Sequence, residues 1–342
     1  FRSIKGEVLV DAANRGRYAT DASIYQQFPL AVVVPKSSDD IAIALEVARN
    51  AGIPVLPRGG GTSQCGQTTG TAMVIDNSKY IRNVLHSDLS DPDHATVAVE
   101  PGMVLDHLNA QLKKHGLWYP VDVSTAAQAT IGGMAGNNSC GSRSIAYGNM
   151  VHNVLGIDAW LADGKVASFG SYSQSNGEAK VLGDFVKGLV DSLKPEIEAH
   201  WPKVMRRVAG YNLDVFHPQS ELPYTFDNSV NLAHLLVGSE GTLAYFKSLK
   251  LKLARLPQHK VLGVVNFASF YQAMDSAQHI VKLSPTAVEL VDRTMIDLSR
   301  NNPAFRKTIE TALVDAQAKT VDAILLVEFS GDEHAPLLDR KS

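Results

Sequence analysis

The ten residues PRGGGTSQCG, Pro57 to Gly66, place three consecutive glycines behind an arginine and follow them with two hydroxyl side chains. Glycine inside a regular element costs roughly 0.5–1 kcal/mol relative to alanine, so three in a row favour a tight bend or a close approach. Consecutive N–H groups in such a turn form a concave set of donors for an anion such as a pyrophosphate, and Thr62 with Ser63 would add hydroxyl donors. A purely structural turn is the alternative.

The segments on either side of these glycines predict that they connect two strands. The run AVVVP at 31–35 is β-branched, and residues 37–52 carry a serine cap, acidic residues in the first turn and a glycine stop, as a helix does. The runs IPVLP at 53–57 and TAMVID at 71–76 are typical of short buried strands. The order strand, helix, strand, loop, strand indicates an α/β subdomain over about residues 1–85.

A second, similar α/β subdomain is predicted over about residues 86–256. It has a helix at 104–116, and its long loop at 119–148 holds a second glycine-rich stretch, ATIGGMAGNNSCGSRSIAYG. A strand, a turn and a hairpin partner follow at 153–166, and a charged amphipathic helical pattern punctuated by prolines covers 176–208. Leucines alternating with lysines then predict an antiparallel strand with one buried face, whose solvated side carries Lys247, Lys250 and Lys252.

Pro257 marks a predicted domain boundary. Beyond it, strand and helix patterns indicate the start of an α+β unit over 257–342 that has no obvious end. In this unit Glu289 and Asp292 are assigned to the polar side of a helix, with a role at a substrate pocket as the less favoured alternative.

Composition narrows the classes of partner. The formal net charge is only -3, so no basic surface indicates nucleic acid or anionic lipid. Two cysteines are too few for a disulfide scaffold, which fits a reducing compartment such as the cytoplasm. No apolar run approaches the roughly 18–20 residues of a membrane span, so no span is expected. The chain opens at Phe1 without methionine, which leaves a removed leader open.

Known phosphate-binding motifs do not fit the first glycine loop. In the dinucleotide fingerprint GxGxxG, Gly59 and Gly61 match, but Gln64 holds the third glycine position and a strand follows instead of a helix. In the P-loop pattern Gly61 and Gly66 have the right spacing, but Gln67 occupies the lysine position. Nucleotide hydrolysis is therefore a poor hypothesis. The two glycine-rich segments, about 70 residues apart, instead suggest one long ligand lying between two subdomains.

Four segments together resemble a known family, and they occur in the right order over residues 18–253. They are YATDASIYQQFPLAVVVPKSSDDI, PRGGGTSQCGQ, YPVDVSTAAQATIGGMAGNNSCGSRSIAYGNMVHNVLGIDAWLADG, and RRVAGYNLDVF with VGSEGTL. The chain is similar to the vanillyl-alcohol oxidase superfamily of flavoproteins with a PCMH-type FAD-binding domain, in the branch of D-lactate, D-2-hydroxyglutarate and glycolate dehydrogenases. The second glycine-rich stretch most resembles large bacterial members in which an iron-sulfur region follows.

The resemblance implies an α+β fold. A PCMH-type FAD-binding domain of two α/β subdomains would cover residues 1–256. The incomplete start of an α+β substrate (cap) domain would cover 257–342.

The resemblance also implies which residues contact FAD. The pyrophosphate would lie against Arg58, Gly59, Gly60, Gly61, Thr62, Ser63 and Gly66, with Gln67 beside them. The flavin ring and ribityl chain would be lined by Pro120, Asp122, Thr130, Ile131, Gly132, Gly133, Ala135, Gly136, Asn138 and Ser139. Ile157 would meet the adenine end through its backbone, and Glu240 with Gly241 would close the site. Relatives with covalent FAD carry histidine where this chain has Thr62, which implies dissociable FAD.

The implied activity is oxidation of a small D-2-hydroxy acid, D-2-hydroxyglutarate or D-lactate, by hydride transfer to flavin N5. Electrons would pass to a quinone, an iron-sulfur centre or an electron-transfer protein, in the cytoplasm or peripherally at the inner membrane. Catalytic residues are expected beyond Ser342, because the chain contains no GHxGDGN-like stretch. Any divalent metal or iron-sulfur cluster is expected there too. The alternatives are a sugar or aldonolactone oxidase and a flavin-binding electron-transfer component without its own substrate pocket.

Several residues invite other interpretations. His107 and His115 are eight positions apart on one helix, which does not match HExxH-like spacing, so no metal site is predicted. Cys65 and Cys140 are interpreted as small space-filling side chains in preference to redox residues. For Arg143 and Tyr147, orienting a substrate and fixing the loop both remain open.

Overall fold

The computed structural model describes residues 3–204, 206–314 and 321–341. The chain divides into two compact units, of which the first is Phe1–Cys140 with Gly148–Arg255. The second unit is Leu256–Ser342 together with a short crossing segment, Gly141–Tyr147, taken from the middle of the first. No feature of the sequence indicated that this segment groups with the second unit.

The first unit opens with a four-stranded sheet whose order is β1-β2-β4-β3. Its elements are β1 (Glu7–Leu9), α1 (Ala12–Arg17), β2 (Ala31–Val34), α2 (Ser38–Ala51), β3 (Val55–Arg58) and β4 (Met73–Asp76). Strand β4 is parallel to both of its neighbours, as a strand, helix, strand order requires, and β1 is antiparallel.

The predicted helix signals in this sheet are confirmed. Ser37 caps α2 by accepting a hydrogen bond from the N–H of Asp40 at 3.4 Å, and Gly52 ends the helix at φ +64°. Ile41 and Ala44 of α2 pack with Met73 of β4 in one buried cluster. This packing fixes the ends of β3 and β4, from which the first glycine loop leaves and to which it returns.

The second sheet of the first unit has five strands in the order β5-β6-β10-β8-β9. These are β5 (Val84–Asp88), β6 (Thr96–Val99), β8 (Val154–Trp160), β9 (Val166–Phe169) and β10 (Tyr245–Lys252), with β7 (Leu117–Trp118) and β11 (Ala254–Arg255) forming a separate pair. All of its pairs are antiparallel, which distinguishes this sheet from the first. In β10, Leu249 and Leu251 are fully buried while Lys250 is exposed, which confirms the predicted alternation.

Helices and short 3₁₀ turns complete the first unit around this sheet. They are α3 (Leu105–Lys113), α4 (Ile131–Asn137), α6 (Met150–Asn153), α7 (Gly177–His200), α8 (Ala233–Leu236), and the 3₁₀ turns Tyr172–Gln174 and Leu213–Phe216. Leu105, Leu108 and Leu112 of α3 belong to the large core that the sheet shares with α4 and α8.

Two predictions for this region are wrong. The segment 119–148 is not one loop, because α4 lies inside it and α5 (Ser144–Tyr147) follows. Glycine disfavours helix, but burial of Ile131 and Ala135 in the core overrides that preference. The helical pattern over 176–208 ends early, at His200. Trp201 is extended at ψ 134° because it precedes a proline, and the ring of a following proline disfavours helical geometry.

The second unit contains a three-stranded antiparallel sheet of order β12-β14-β13. Its elements are β12 (His259–Phe267), α9 (Phe270–Ile280), the 3₁₀ turn Val281–Leu283, β13 (Ala287–Asp292), α10 (Arg293–Asn301), α11 (Arg306–Ala312), β14 (Ala323–Gly331) and α12 (His334–Lys341). The assignment of Glu289 and Asp292 to a helix is wrong, since both lie in β13. Asp292 instead caps α10 by accepting from the N–H of Met295 at 2.9 Å.

Within the described residues, no helix combines the length and the apolar character that crossing a membrane requires.

Candidate functional site

A cavity of about 480 Å³ lies in the first unit, where the loop after β3 meets residues 123–140 and the loop before β10. The predicted residues that line it are Arg58, Gly59, Gly60, Gly61, Thr62, Ser63, Gln67, Thr130, Gly132, Gly133, Gly136, Asn138, Ser139, Glu240 and Gly241. The volume falls within the roughly 300–1,000 Å³ typical of small-molecule sites. Both glycine-rich segments therefore face one space.

The first glycine loop presents main-chain donors. Among the residues that the structure describes, no oxygen accepts a hydrogen bond from the N–H groups of Gly60, Gly61, Thr62 or Ser63. Gly61 is left-handed at φ +65°, the backbone geometry that turns successive N–H groups toward one concavity. Four consecutive free donors beside a cavity match an anionic ligand.

Gly59 and Gly60 lack side chains for a steric reason as well as for the exposure of main-chain donors. A Cβ at Gly59 would lie 1.9 Å from Oγ1 of Thr130, and one at Gly60 would lie 2.2 Å from the carbonyl oxygen of Gln128. Both distances are far below van der Waals contact. These two glycines are therefore required where the first glycine-rich segment packs on the second, a contact that the sequence pattern attributed to the ligand.

Arg58 serves the loop through its side chain. The guanidinium donates to the carbonyl oxygens of Tyr18 at 3.3 Å, Thr20 at 2.9 Å and Thr68 at 3.0 Å, and it lies 5.3 Å from the centre of the Tyr18 ring. Burial lowers the pKa of Arg58 from its usual value. Bonding to three carbonyls ties the N-terminal segment to both ends of the glycine loop.

The two hydroxyls after the glycines differ. Ser63 Oγ donates to the side-chain oxygen of Gln67 and accepts from the N–H groups of Cys65 and Gln67 at 3.3 and 3.4 Å, so it stabilises the loop internally. The hydroxyl of Thr62 makes no hydrogen bond within the described part of the chain. Of the two, only Thr62 has a free side-chain donor at the cavity.

The second glycine-rich segment forms the opposite wall through α4. The N–H of Gly132 donates to the carbonyl of Pro101 at 2.8 Å, and a Cβ at Gly132 would lie 2.5 Å from Cβ of the same proline. Thr130, at the start of the helix, is only 2% exposed, yet its hydroxyl has no partner among the described residues. A hydroxyl that lines the cavity and has no partner in the described part of the chain is suited to a ligand.

The third wall is the closing loop, Gly238–Thr242. Its N–H groups at Gly238 and Glu240 donate to the carbonyls of Ala135 and Gly136 at 2.9 and 3.0 Å, at the end of α4. Glu240 has φ +51°, which is uncommon for a residue with a side chain and is concentrated at functional sites. Its carboxylate accepts from Nδ2 of Asn137 at 3.0 Å, and partial burial raises the pKa of Glu240.

Asn138 and Ser139 hold neighbouring chain segments. The carboxamide of Asn138 accepts from the N–H of Val151 at 3.0 Å and donates to the carbonyl of Arg207 at 3.4 Å. Ser139 Oγ donates to the side chain of Asn137 at 3.0 Å. Both residues line the cavity while their side chains stabilise its wall.

The remaining predicted residues do not line this cavity: Gly66, Pro120, Asp122, Ile131, Ala135 and Ile157. Ile131, Ala135 and Ile157 are buried in the sheet core. Gly66 is left-handed at φ +81° and packs on Tyr25. Assigning these residues to cofactor contact stays a prediction.

Sequence reasoning missed Asn77 and Tyr245, which line the cavity and are hydrogen-bonded to each other at 2.8 Å. Asn77 directly follows β4, and ligands of open parallel sheets bind outside the carboxyl ends of strands, so its position was a usable signal. Tyr245 is the first residue of β10, and no local signal in the sequence marked it as a site residue. The other missed lining residues are Pro57, Gln64, Cys65, Thr68, Pro101, Val123, Ser124, Thr125, Ala129, Met134, Asn137, Cys140, Val208, Ala244 and Phe246.

Arg143 and Tyr147 belong to the second unit. The guanidinium of Arg143 donates to both carboxylate oxygens of Glu328 at 2.7 Å, and Tyr147 is hydrogen-bonded to Ser330. Of the two roles left open by the sequence, these bonds favour fixing the crossing segment and not orienting a substrate. Across the part of the chain that the structure covers, no three histidine, cysteine or acidic side chains lie together as a metal ion would require.

Comparison with known families matches both units. Residues 29–170 match the FAD binding domain, and residues 256–340 match the C-terminal domain of FAD linked oxidases.

Individual relatives of the chain are consistent with these two family matches. The chain is 32% identical over 97% of its length to a D-2-hydroxyglutarate dehydrogenase of Pseudomonas putida, of which it covers 33%. It is 29% identical over 90% of its length to the probable mitochondrial D-lactate dehydrogenase of Danio rerio, of which it covers 53%. The chain thus spans a third to about half of these relatives. A solved alkyldihydroxyacetonephosphate synthase superposes with a TM-score of 0.68 at 17% identity over 98% of this chain and 55% of that one, which shows a shared fold.

Proposed function

The chain belongs to the FAD-linked oxidases, and on that premise we propose that it is the FAD-binding part of a dehydrogenase of small D-2-hydroxy acids. D-2-Hydroxyglutarate is the first substrate to test and D-lactate the second, since relatives of both names match nearly the whole chain. The first unit is the cofactor domain. The second unit is the beginning of the substrate domain.

The observation that carries the proposal is the row of N–H groups from Gly60 to Ser63 beside the cavity, for which the described part of the chain offers no acceptor. Hydrogen bonds to a charged group contribute roughly 1.5–3 kcal/mol each, so four of them would hold a pyrophosphate without a lysine. The hydroxyls of Thr62 and Thr130, which have no partner among the residues that the structure covers, add two donors. Non-covalent FAD is the ligand that fits an anion cradle, a flat glycine-lined wall and a carboxylate at Glu240.

When bound, FAD supplies the acceptor for a hydride from the substrate carbon. This chain's own residues would bind and orient it: the loop after β3 would hold the phosphates, α4 would supply a flat wall, and the carboxylate of Glu240 would offer an acceptor to a hydroxyl of the cofactor. The sequence contains no GHxGDGN-like stretch, so we assign the base, the carboxylate-binding arginine and any metal to the remainder of a longer protein.

The electron acceptor is proposed to be a quinone, an iron-sulfur centre or an electron-transfer protein. A cytoplasmic location, with peripheral association at the inner membrane as the alternative, fits the two free cysteines, Cys65 and Cys140.

The test begins with an absorption spectrum of the purified protein and acid precipitation to release the flavin. We expect released FAD, followed by bleaching of the flavin in the full-length protein on anaerobic addition of D-2-hydroxyglutarate or D-lactate. A protein that is colourless and takes up no FAD contradicts the proposal. Bleaching only by sugars or aldonolactones would reassign the substrate, and flavin that no hydroxy acid reduces would favour an electron-transfer component.

A further inference from the structure

The motif RRVAGYNLDVF at 206–216 reaches the site through Val208, which lines the cavity, and through the carbonyl of Arg207, which accepts from Asn138. It lies behind the closing loop. A Cβ at Gly238 would be 3.5 Å from the carbonyl oxygens of Val208 and Gly210, so the two segments pack backbone to backbone. We call residues 207–214 the brace.

The brace is joined to the closing loop chiefly by Asn212, which is 1% exposed. Its Nδ2 donates to the carbonyls of His234 at 2.7 Å and Val237 at 3.0 Å. These carbonyls belong to α8 and to the residue that follows it, directly before the closing loop. One side chain thus satisfies two main-chain acceptors at the point where the loop begins. Because the site is buried, water does not take the place of this donor.

Charged and aromatic neighbours set the orientation of that carboxamide. The guanidinium of Arg207 donates to Oδ1 of Asn212. The hydroxyl of Tyr224 donates its single proton to the fully buried Asp214 at 2.8 Å. Because Oδ1 accepts from Arg207, the NH₂ group must face the carbonyls.

The closing loop needs such support, since Glu240 is held at φ +51°. A residue with a side chain persists in that region only when its surroundings over-determine it. The brace adds a second attachment at the far end of the loop, where the hydroxyls of Tyr211 and Thr242 are hydrogen-bonded at 2.8 Å. The loop is therefore anchored at both of its ends.

We infer that Asn212 is a positioning residue: it does not line the cavity, but it holds the closing loop in the conformation in which Glu240 meets FAD. The inference rests on the proposed function, because it assumes that FAD is the ligand. It concerns a different part of the molecule from the anion cradle, and it predicts a defect in cofactor affinity from a side chain outside the cavity.

The test measures the FAD dissociation constant by flavin fluorescence quenching, and the melting temperature of the apoprotein, for wild type and Asn212→Ala. The matched control is Asn231→Ala. Asn231 is also buried, donates to Leu155 at 2.9 Å and accepts from Ala233 at 2.9 Å, but it lies at the other end of α8. We expect both variants to lower the melting temperature, and only Asn212→Ala to raise the dissociation constant, by about tenfold or more.

Two further variants separate positioning from general destabilisation. Tyr211→Phe removes one hydroxyl from a half-exposed ring, so the protein still folds, and a roughly threefold weaker FAD affinity is expected. In a Glu240→Gly background the loop reaches positive φ without strain, so adding Asn212→Ala should weaken FAD affinity by less than it does in wild type.

The outcomes distinguish the two proposals. A wild-type protein that binds no FAD overturns the proposed function. Wild-type binding with unchanged affinity in Asn212→Ala overturns the positioning role alone. If Asn212→Ala does not fold, Tyr211→Phe decides: unchanged affinity in that variant overturns the positioning role, and a threefold loss supports it.

Discussion

In the loop after β3 the N–H groups of residues 60–63 have no acceptor among the described residues, whereas in α4 the N–H of Gly132 is already bonded and its missing side chain admits Pro101. The first segment is a donor surface and the second is a packing surface. The two segments also pack directly on each other, because the absence of a Cβ at Gly59 and Gly60 makes room for Thr130 and Gln128. A glycine-rich stretch thus has two distinct uses, and the difference lies in where its N–H groups go.

The largest effect should follow replacement of Gly60 by valine, which breaks the contact between the two segments. Its Cβ alone would lie 2.2 Å from a carbonyl oxygen that cannot swing aside, so we expect complete loss of FAD retention and a lower melting temperature. Flavin content after purification and thermal denaturation measure both.

The control for that substitution is Gly188→Ala, in the middle of α7. A Cβ there meets no atom of the described residues within 4 Å, so the change should stabilise the protein slightly, as helix propensity predicts. Unchanged flavin content in Gly60→Val would remove the first loop from the site.

The closing loop contacts both glycine-rich segments, through Ala135 and Gly136 on one side and Pro57 on the other. Acid should destabilise α8, the helix that precedes this loop. Burial lowers the pKa of His234, in α8, to about 4 from 6.5. Between these values the unfolded state binds the proton and the folded state does not, so stability is full above pH 6.5 and falls as the pH drops toward 4. At about 1.4 kcal/mol per pH unit, the loss reaches about 3 kcal/mol.

Urea denaturation of the apoprotein at several pH values measures this slope, with His234→Gln as the comparison. The variant should show a flatter dependence, since it has no group to protonate at that position. Equal slopes in the two proteins would assign the acid sensitivity to other groups, such as His152, whose pKa burial also lowers.

A smaller effect distinguishes neighbouring glycines within α4. Gly132→Ala should destabilise the protein by about 1–3 kcal/mol because its Cβ would overlap Pro101, whereas Gly133→Ala meets only the Thr130 hydroxyl at 3.3 Å. Chemical denaturation of both variants compares them directly. Equal losses would show that the helix is not packed as tightly against Pro101 as the geometry indicates.

The smallest effect is expected for Thr62→Ala, at the end of the donor surface. The four main-chain donors stay in place, so we expect a loss at the lower end of the roughly 1.5–3 kcal/mol of one hydrogen bond to a charged group, which is about tenfold in FAD affinity, with no change in stability. Titration with FAD measures the shift. A total loss of binding would mean that the side chain contributes more than the backbone donors do.

Local signals in the sequence predicted β2, β3 and β4 of the first sheet but not β1, and they predicted α2 because Ser37 and Gly52 delimit it through contacts within their own neighbourhood. They failed at α4, where glycine's low helix propensity is overridden by burial of Ile131 and Ala135, a contact with distant strands. The same limit applies to β13, whose strand pairing depends on β14 more than thirty residues later.

In the site, residue types predicted which segments form the cavity walls. They did not predict which side chains face a ligand and which ones bond to other parts of the protein. Arg58 and Asn138 lie at the cavity as expected, yet their side chains bond to main-chain groups elsewhere, which depends on three-dimensional neighbours. Asn212 gave no local signal either, since its partners at 234 and 237 are brought to it only by the fold.

The position of the crossing segment Gly141–Tyr147 in the chain determines when its contacts can form during synthesis. Arg143 bonds to a carboxylate 185 residues further along the chain, so a protein growing from its N terminus has completed both sheets of the first unit before that partner exists. The ion pair closes a loop of 185 residues, so it cannot form before most of the chain has been synthesised. Neither unit can be released by a single cut, and a chain starting at Leu256 would leave the largely buried Glu328 without its counter-charge.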